Sequence, residues 1–201
     1  NPLNTIDVAK EVQPHLFCSV PRIYEKVYSN FVSAIESKAV LRIGLKIPFV
    51  SELLKKKLKS AAGFGNLKFA ISGAAPINSK ILTLFQTLGI PLFEGYGMTE
   101  IAPISVNTVQ NGTKMGSAGK AVPDTLIEIV DIETGRQVLS RGETGEVRVK
   151  GPHMMLEYEG NAEETEATIR DGFIYTGDIG VLDSEGFLSI TCLLYTSPSP
   201  R

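Results

Sequence analysis

This 201-residue chain is poor in the residues that build disulfide frameworks, metal clusters and membrane spans. Its two cysteines, Cys18 and Cys192, match no zinc or redox spacing, so free thiols in a reducing, intracellular compartment are expected. Two histidines, His15 and His153, are too few for a multi-histidine metal site. No apolar run approaches the ~18 residues that a membrane span needs. The first residues, Asn-Pro-Leu-Asn, lack an initiator Met and the charged and apolar regions of a signal peptide, so the sequence reads as entered partway. A formal net charge of −2 and a pI near 5.8 leave no polybasic field for nucleic acid and give no indication of tight electrostatic docking to acidic membranes.

Several chemical motifs are also missing. The glycine-rich stretch from Gly112 to Lys120 fails the Walker pattern, because Ala121 follows Gly119-Lys120 where Ser or Thr is required. Ser117 has Met115 rather than glycine two residues before it, so there is no nucleophile elbow. Gly95-Tyr96-Gly97 continues as Met98-Thr99-Glu100, which is not a dinucleotide fingerprint. The sequon Asn111-Gly112-Thr113 has no secretory context and reads as chance.

What is present suits a packed domain: 43% hydrophobic and 21% charged residues. Residues 1 to about 20 read as extended or loop-like. Ser19 is placed to cap a helix over 21–40, with Pro21 in its first turn and Ile23, Val27, Phe31, Ala34 and Ile35 at helical spacing. A second helix is expected over 49–60, with the run Lys55-Lys56-Lys57-Leu58-Lys59 as its solvated face. Leu67–Ser72 reads as a buried strand, Asn78 as the cap of a following helix that stops at Gly89, and Ile90–Phe93 as a second strand. Strand, helix and strand within ~30 residues make a βαβ unit and imply a parallel sheet. From about 120 the texture changes to short alternating strands, at Thr125–Asp131 and Glu146–Lys150, then a short helix at 163–169 and strands at 173–176 and 186–190. The expected organisation is an α/β part over 1–119, a β-rich, small antiparallel barrel-like part over 120–191, and a tail over 192–201.

Two turns stand at carboxyl ends of strands in the proposed sheet, where open α/β sheets bind ligands. Gly73, Ala74 and Ala75 are small enough for main chain to approach a flat ligand. Tyr96, between Gly95 and Gly97, can lay its ring on a planar base; Thr99 offers a hydroxyl and an N–H to phosphate, and Glu100 a hard carboxylate suited to Mg²⁺. Further on, Tyr175-Thr176-Gly177-Asp178 sets a carboxylate after a glycine at a strand end, able to accept from two ribose hydroxyls. Taken singly, Gly-Ala-Ala-Pro and the Asp178 turn are what ordinary turns look like, whereas a Tyr, a Thr and a Glu crowded into the glycine turn at 95–100 serve no packing need.

As a set, Ser-Gly-Ala-Ala-Pro (72–76), Glu-Gly-Tyr-Gly-Met-Thr-Glu (94–100), Gly-Glu-Thr-Gly-Glu-Val (142–147) and Tyr-Thr-Gly-Asp (175–178) resemble the adenylate-forming superfamily of AMP-forming acyl-CoA synthetases. The resemblance covers residues 1 to about 191, and Ser-Val-Pro-Arg-Ile-Tyr-Glu-Lys-Val-Tyr (19–28) looks like its long-chain fatty acyl branch. It implies that this is the C-terminal part of the superfamily's N-terminal domain. It implies that Gly73, Ala74 and Ala75 line one adenine face with Tyr96 near the other, and that Thr99 contacts the α-phosphate. Glu100 would help hold Mg²⁺, Asp178 would bind the ribose, and Glu94, Gly95 and Gly97 would shape the nucleotide loop. The implied ligands are ATP or AMP, Mg²⁺, a fatty acid and coenzyme A, with peripheral association at the cytosolic face of a membrane and no nucleic acid. The alternatives are a ligase for short-chain or aryl acids and a nucleotide-binding remnant without catalysis. The superfamily's upstream phosphate loop and downstream catalytic lysine are not in this sequence, and a Gly-Arg continuation expected after Thr191 is replaced by Cys192–Arg201, which reads either as translated adaptor sequence or as a disordered Ser/Pro tail.

Overall fold

The computed structural model describes residues 4–193, which fall into two compact units that divide between Phe93 and Glu94. The first unit opens with α1 (Thr5–Val12), β1 (Leu16–Ser19) and α2 (Pro21–Ser37). α1 corrects the extended reading of the first twenty residues. Only Ile6 and Ala9, three apart, turn inward on this eight-residue helix, too short a stripe to stand out by periodicity. Pro21 takes the first helical position of α2 as expected, but Val20 rather than Ser19 is the N-cap and no side chain caps it. The helical stretch then breaks at Lys38, whose extended backbone separates α2 from α3 (Ala39–Gly44).

α4 (Pro48–Ala61) precedes β2 (Phe69–Ser72), which runs parallel to β1 in the register Leu16 to Phe69 through Ser19 to Ser72. α5 (Ser79–Thr87) starts where Asn78 accepts a hydrogen bond from the Lys80 N–H at 2.9 Å, and the helix gives way to Gly89 at φ +69°. The core of this unit is aromatic. Phe85, fully buried, has ring contacts with Tyr24, Phe31 and Phe64 at centroid distances of 6.0, 5.8 and 6.4 Å. The buried Tyr24 hydroxyl donates towards the carbonyls of Phe17 on β1 and Ile71 on β2, both at 2.9 Å, which satisfies its polar end inside the core.

β3 (Leu92–Met98) begins in the first unit and ends in the second. It pairs antiparallel with β4 (Ile101–Val106), and β4 with β5 (Lys120–Ala121). Residues 94–121 fall in the second unit, where Gly119 bridges Leu188 and the Ala118 N–H donates to the Leu188 carbonyl at 2.7 Å. The rest of the second unit is an antiparallel sheet in the order β10 (Leu188–Leu193), β9 (Phe173–Leu182), β7 (Thr144–Lys150), β6 (Leu126–Val130), with β8 (Ile169–Arg170) also paired to β9 and α6 (Ala162–Thr168) before it. Alternate residues of these strands, including Ile127, Ile129, Val147, Val149, Ile174 and Leu182, form one buried cluster. The α/β class with an antiparallel β-rich part is as expected. Of the tail read over 192–201, Cys192 and Leu193 pair with β9 as the end of β10, and 194–201 lie outside the described residues.

Candidate functional site

Gly73, Ala74 and Ala75 follow β2 in the first unit. The Gly73 N–H donates to the Ser19 carbonyl at 3.2 Å, and Ala74 holds φ +67°, a left-handed conformation that costs a non-glycine residue of order 1 kcal/mol. Ala74 and Ala75 are exposed, and the buried Ser72 hydroxyl beside them has no hydrogen-bond partner.

In the second unit, Glu94, Gly95, Tyr96 and Gly97 lie on β3, not in a loop as their two glycines suggest. The tight turn is Thr99-Glu100, between Met98 and Ile101, which face each other across the β3–β4 ladder. Pairing along β4 overrides the weak strand propensity of glycine here. Glu94 is tied to the neighbouring loop: its carboxylate accepts from the Gly116 N–H at 3.0 Å, and its carbonyl accepts from the Asn107 N–H at 2.9 Å. Burial pushes the Glu94 carboxyl up, while the Gly116 bond opposes that shift. Thr99 is exposed, and its hydroxyl is free of partners within the protein.

Asp178 is also within a strand rather than past one. Across β7 and β9, Arg148 faces Tyr175 and Glu146 faces Ile179, so Thr176, Gly177 and Asp178 together oppose the single residue Val147. This is a bulge with two extra residues, and Gly177 supplies the φ of +70° that it needs. Its polar groups are used locally. The Thr176 hydroxyl donates to the Val147 carbonyl at 2.8 Å, Asp178 N–H reaches Thr176 Oγ1 at 3.1 Å, and Gly177 N–H reaches Glu146 Oε1 at 3.2 Å. The bulge turns the Asp178 carboxylate to Tyr96, whose hydroxyl donates to Oδ2 at 2.5 Å. Burial raises the Asp178 carboxyl above its usual range, and the Tyr96 bond pulls it back down. The Tyr96 phenol is itself raised by burial and by Asp178, so it donates as a neutral hydroxyl.

Sequence reasoning missed Tyr158. Its hydroxyl donates to Glu100 Oε1 at 2.7 Å, and burial together with this bond pushes the phenol up to about 12. The Met155 N–H meanwhile holds the Glu100 carbonyl at 2.7 Å. Tyr158 is fixed in turn by its N–H to Thr165 Oγ1 at 2.9 Å, on the helix that Asn161 caps. No spacing rule links residues 58 positions apart, and only the pairing of Tyr with a carboxylate in space reveals the link.

The glycine-rich stretch rejected as a phosphate loop has its lysines committed elsewhere. Lys120 Nζ lies 4.6 Å from the Phe187 ring centroid, and Lys114 pairs with Asp183 at 2.6 Å.

A phenol and a carboxylate locked together beside a strand turn that carries a free hydroxyl and an oriented glutamate make a polar site without a covalent nucleophile. The chain belongs to the AMP-binding enzyme family, whose model matches residues 2–159. It is 28% identical, over 94% of its length, to long-chain-fatty-acid–CoA ligase FadD15 of Mycobacterium bovis, of which it covers 33%. It is 34% identical, over 80% of its length, to probable 4-coumarate–CoA ligase 3 of Dictyostelium discoideum, of which it covers 30%. The crystal structure of ATP-bound MatB from Rhodopseudomonas palustris superposes on 94% of the chain with TM-score 0.67 and 28% identity, and 32% of that protein is covered. The chain thus spans about a third of the length of the relatives it matches.

Proposed function

We propose that the chain is the nucleotide-recognising portion of an ATP-dependent, AMP-forming acid–CoA ligase acting on long-chain fatty acids. The Tyr96–Asp178 pair carries the reading. The Asp178 carboxyl accepts from one phenol and retains an oxygen that would accept from ribose hydroxyls, while the Tyr96 ring offers its face to a base. Gly73, Ala74 and Ala75 would line the adenine without side-chain obstruction, and the free Thr99 hydroxyl would donate to the α-phosphate. Glu94, Gly95 and Gly97 would fix the course of β3 at the nucleotide.

Among the described residues no three His, Cys, Asp or Glu side chains cluster to hold a metal. Glu100 alone still suits Mg²⁺, which takes one or two carboxylates and completes its shell with phosphate oxygens and water. Such an ion would neutralise charge on the transferring phosphoryl group. The residues' own part is to position. With the nucleotide held, a fatty carboxylate would attack the α-phosphorus in line, expelling pyrophosphate, and coenzyme A thiolate would displace AMP from the acyl-adenylate. No residue here need become covalently bonded.

The long-chain assignment rests on the 19–28 segment and is supported by the similarity to FadD15. The similarity to a 4-coumarate ligase favours an aryl acid as the second reading. Equilibrium dialysis of the chain against labelled AMP, palmitoyl-adenylate and coumaroyl-adenylate analogues tests all of this. Binding of palmitoyl-adenylate tighter than AMP, and lost in Asp178→Ala, is expected. Preference for the coumaroyl compound would move the substrate to aryl acids. Binding of AMP with no gain from either acyl group would favour a nucleotide-binding remnant, and no binding at all would overturn the reading.

A further inference from the structure

We infer that the α3–α4 hairpin is an interfacial docking surface for a bilayer that contains anionic phospholipid. The observation is a local excess of unburied apolar side chains interleaved with unpaired cations. Six of the sixteen large hydrophobic side chains exposed among the described residues fall between 40 and 53: Val40, Ile43, Ile47, Phe49, Val50 and Leu53. Phe49 is 95% exposed and Val40 75%, extreme values for residues that a globular surface gains nothing by displaying. Scattered singly they would need no explanation. Here they share one short hairpin.

The hairpin is held in shape from beneath. Gly44, buried at the end of α3, lies so close to α4 that a Cβ there would come within 2.5 Å of Leu54 Cδ1 and 3.2 Å of Val50 Cγ1. The buried side of the pair is thus α3 against α4, with Val50 at its edge, while Val40 and Phe49 stand exposed outside it. Along α4, Phe49, Leu53 and Lys57 recur at i, i+4 spacing with Lys56 beside them, so one exposed stripe passes from apolar to cationic.

Charge selects the occupant. Residues 38–59 carry seven Lys or Arg and one acidic residue, Glu52, in a chain whose overall charge is −2. Glu52 is taken by Lys55 at 2.9 Å, and Lys59 donates to the Gly89 carbonyl at 3.0 Å. Lys38, Arg42, Lys46, Lys56 and Lys57 remain, exposed and without hydrogen-bond or ion-pair partners. A protruding aromatic and aliphatic edge flanked by free ammonium and guanidinium groups is the composition of a helix that lies in the headgroup plane. No described helix is long and apolar enough to cross a membrane, so the contact is with one leaflet. The cations concentrated over 38–59 outweigh the overall charge of −2, from which docking to acidic membranes is not expected and Lys55–Lys59 reads as a merely solvated face; the surface does not depend on the ligase assignment.

Co-sedimentation of the 201-residue chain with vesicles tests it, using phosphatidylcholine alone and phosphatidylcholine mixed with phosphatidylglycerol. Binding to the mixed vesicles only, released at about 1 M salt where screening shortens to ~3 Å, is expected. Phe49→Ser, and separately the pair Lys56→Glu and Lys57→Glu, should each weaken partitioning roughly tenfold or more, with unchanged circular dichroism because all three side chains are exposed. Absence of binding to the mixed vesicles overturns the proposal, as does binding that none of these substitutions alters. Self-association of the chain that Phe49→Ser abolishes, with no vesicle binding, would assign the face to a second copy instead.

Discussion

The phenol of Tyr96 and the carboxylate of Asp178, 82 residues apart in sequence, share a 2.5 Å hydrogen bond between β3 and the bulge of β9. Burial holds this carboxyl above its usual range. A raised carboxyl stabilises the fold fully below its ordinary titration range, and that contribution is lost as pH rises through the folded value. Asp178→Asn cannot ionise and keeps an oxygen for Tyr96. Denaturant titrations from about pH 4 to about pH 7 should therefore show the parent losing stability relative to the variant as pH rises. A difference independent of pH would show that the carboxyl is not raised. Tyr96→Phe removes the group that lowers it and should steepen the same slope.

Tyr158→Phe deletes the donor to Glu100 while leaving the ring. A hydrogen bond to a charged group contributes about 1.5–3 kcal/mol when well formed, and this half-exposed pair belongs at or below the lower end of that range. The sharper readout concerns metal. If Glu100 holds Mg²⁺, the variant should need a several-fold higher Mg²⁺ concentration to reach half-maximal ATP binding, with AMP binding in the absence of Mg²⁺ unchanged. Equal losses for both nucleotides would assign Tyr158 to the fold rather than to the orientation of Glu100.

The elements that the sequence announces are those with local causes. Asn78 caps α5 because its side chain reaches an N–H two residues on, and Pro21 opens α2 because its ring presets the helical φ. The motif residues were legible as a set, yet their backbone setting was not. Gly95 and Gly97 look like loop residues until β4 is laid beside them, and Asp178 looks like the end of a strand until Val147 is seen facing three residues. α1 escaped because eight residues with two inward side chains carry too little pattern. Tyr158 and Glu100 meet only through tertiary structure, which no local rule anticipates.

Phe85→Ala should be the most damaging simple truncation in the first unit. The ring is fully buried and touches three other aromatic rings, so its loss leaves a cavity lined by large, rigid neighbours that close in poorly. A cost of about 3–5 kcal/mol is expected in chemical denaturation. A loss below about 1 kcal/mol would mean that this core is not packed as described.

Gly119→Ala tests whether the glycine-rich stretch is architectural. Gly119 holds φ +87°, and a Cβ there would lie 2.0 Å from the Val106 carbonyl carbon, which belongs to the backbone and cannot swing aside. The substitution should destabilise the second unit strongly, while Lys120→Ala, which removes only the ammonium over Phe187, should cost about 1 kcal/mol or less. Thermal melts of the two variants side by side decide the point. Comparable small losses would contradict the crowding at Gly119.

The bulge on β9 adds an even number of residues, and that parity has a consequence for how the chain can change. Ile174 before it and Gly180 and Leu182 after it are all buried, so inward and outward positions keep the same phase on both sides of the insertion. Loss of one residue between Thr176 and Asp178 would invert half the strand and expose its core face. Loss of two would restore a plain ladder and leave the sheet whole, but without the carboxylate that meets Tyr96. The Asp178 carboxylate is thus an excursion from a strand whose core face does not need it, so the sheet can lose residues there in steps of two but not of one.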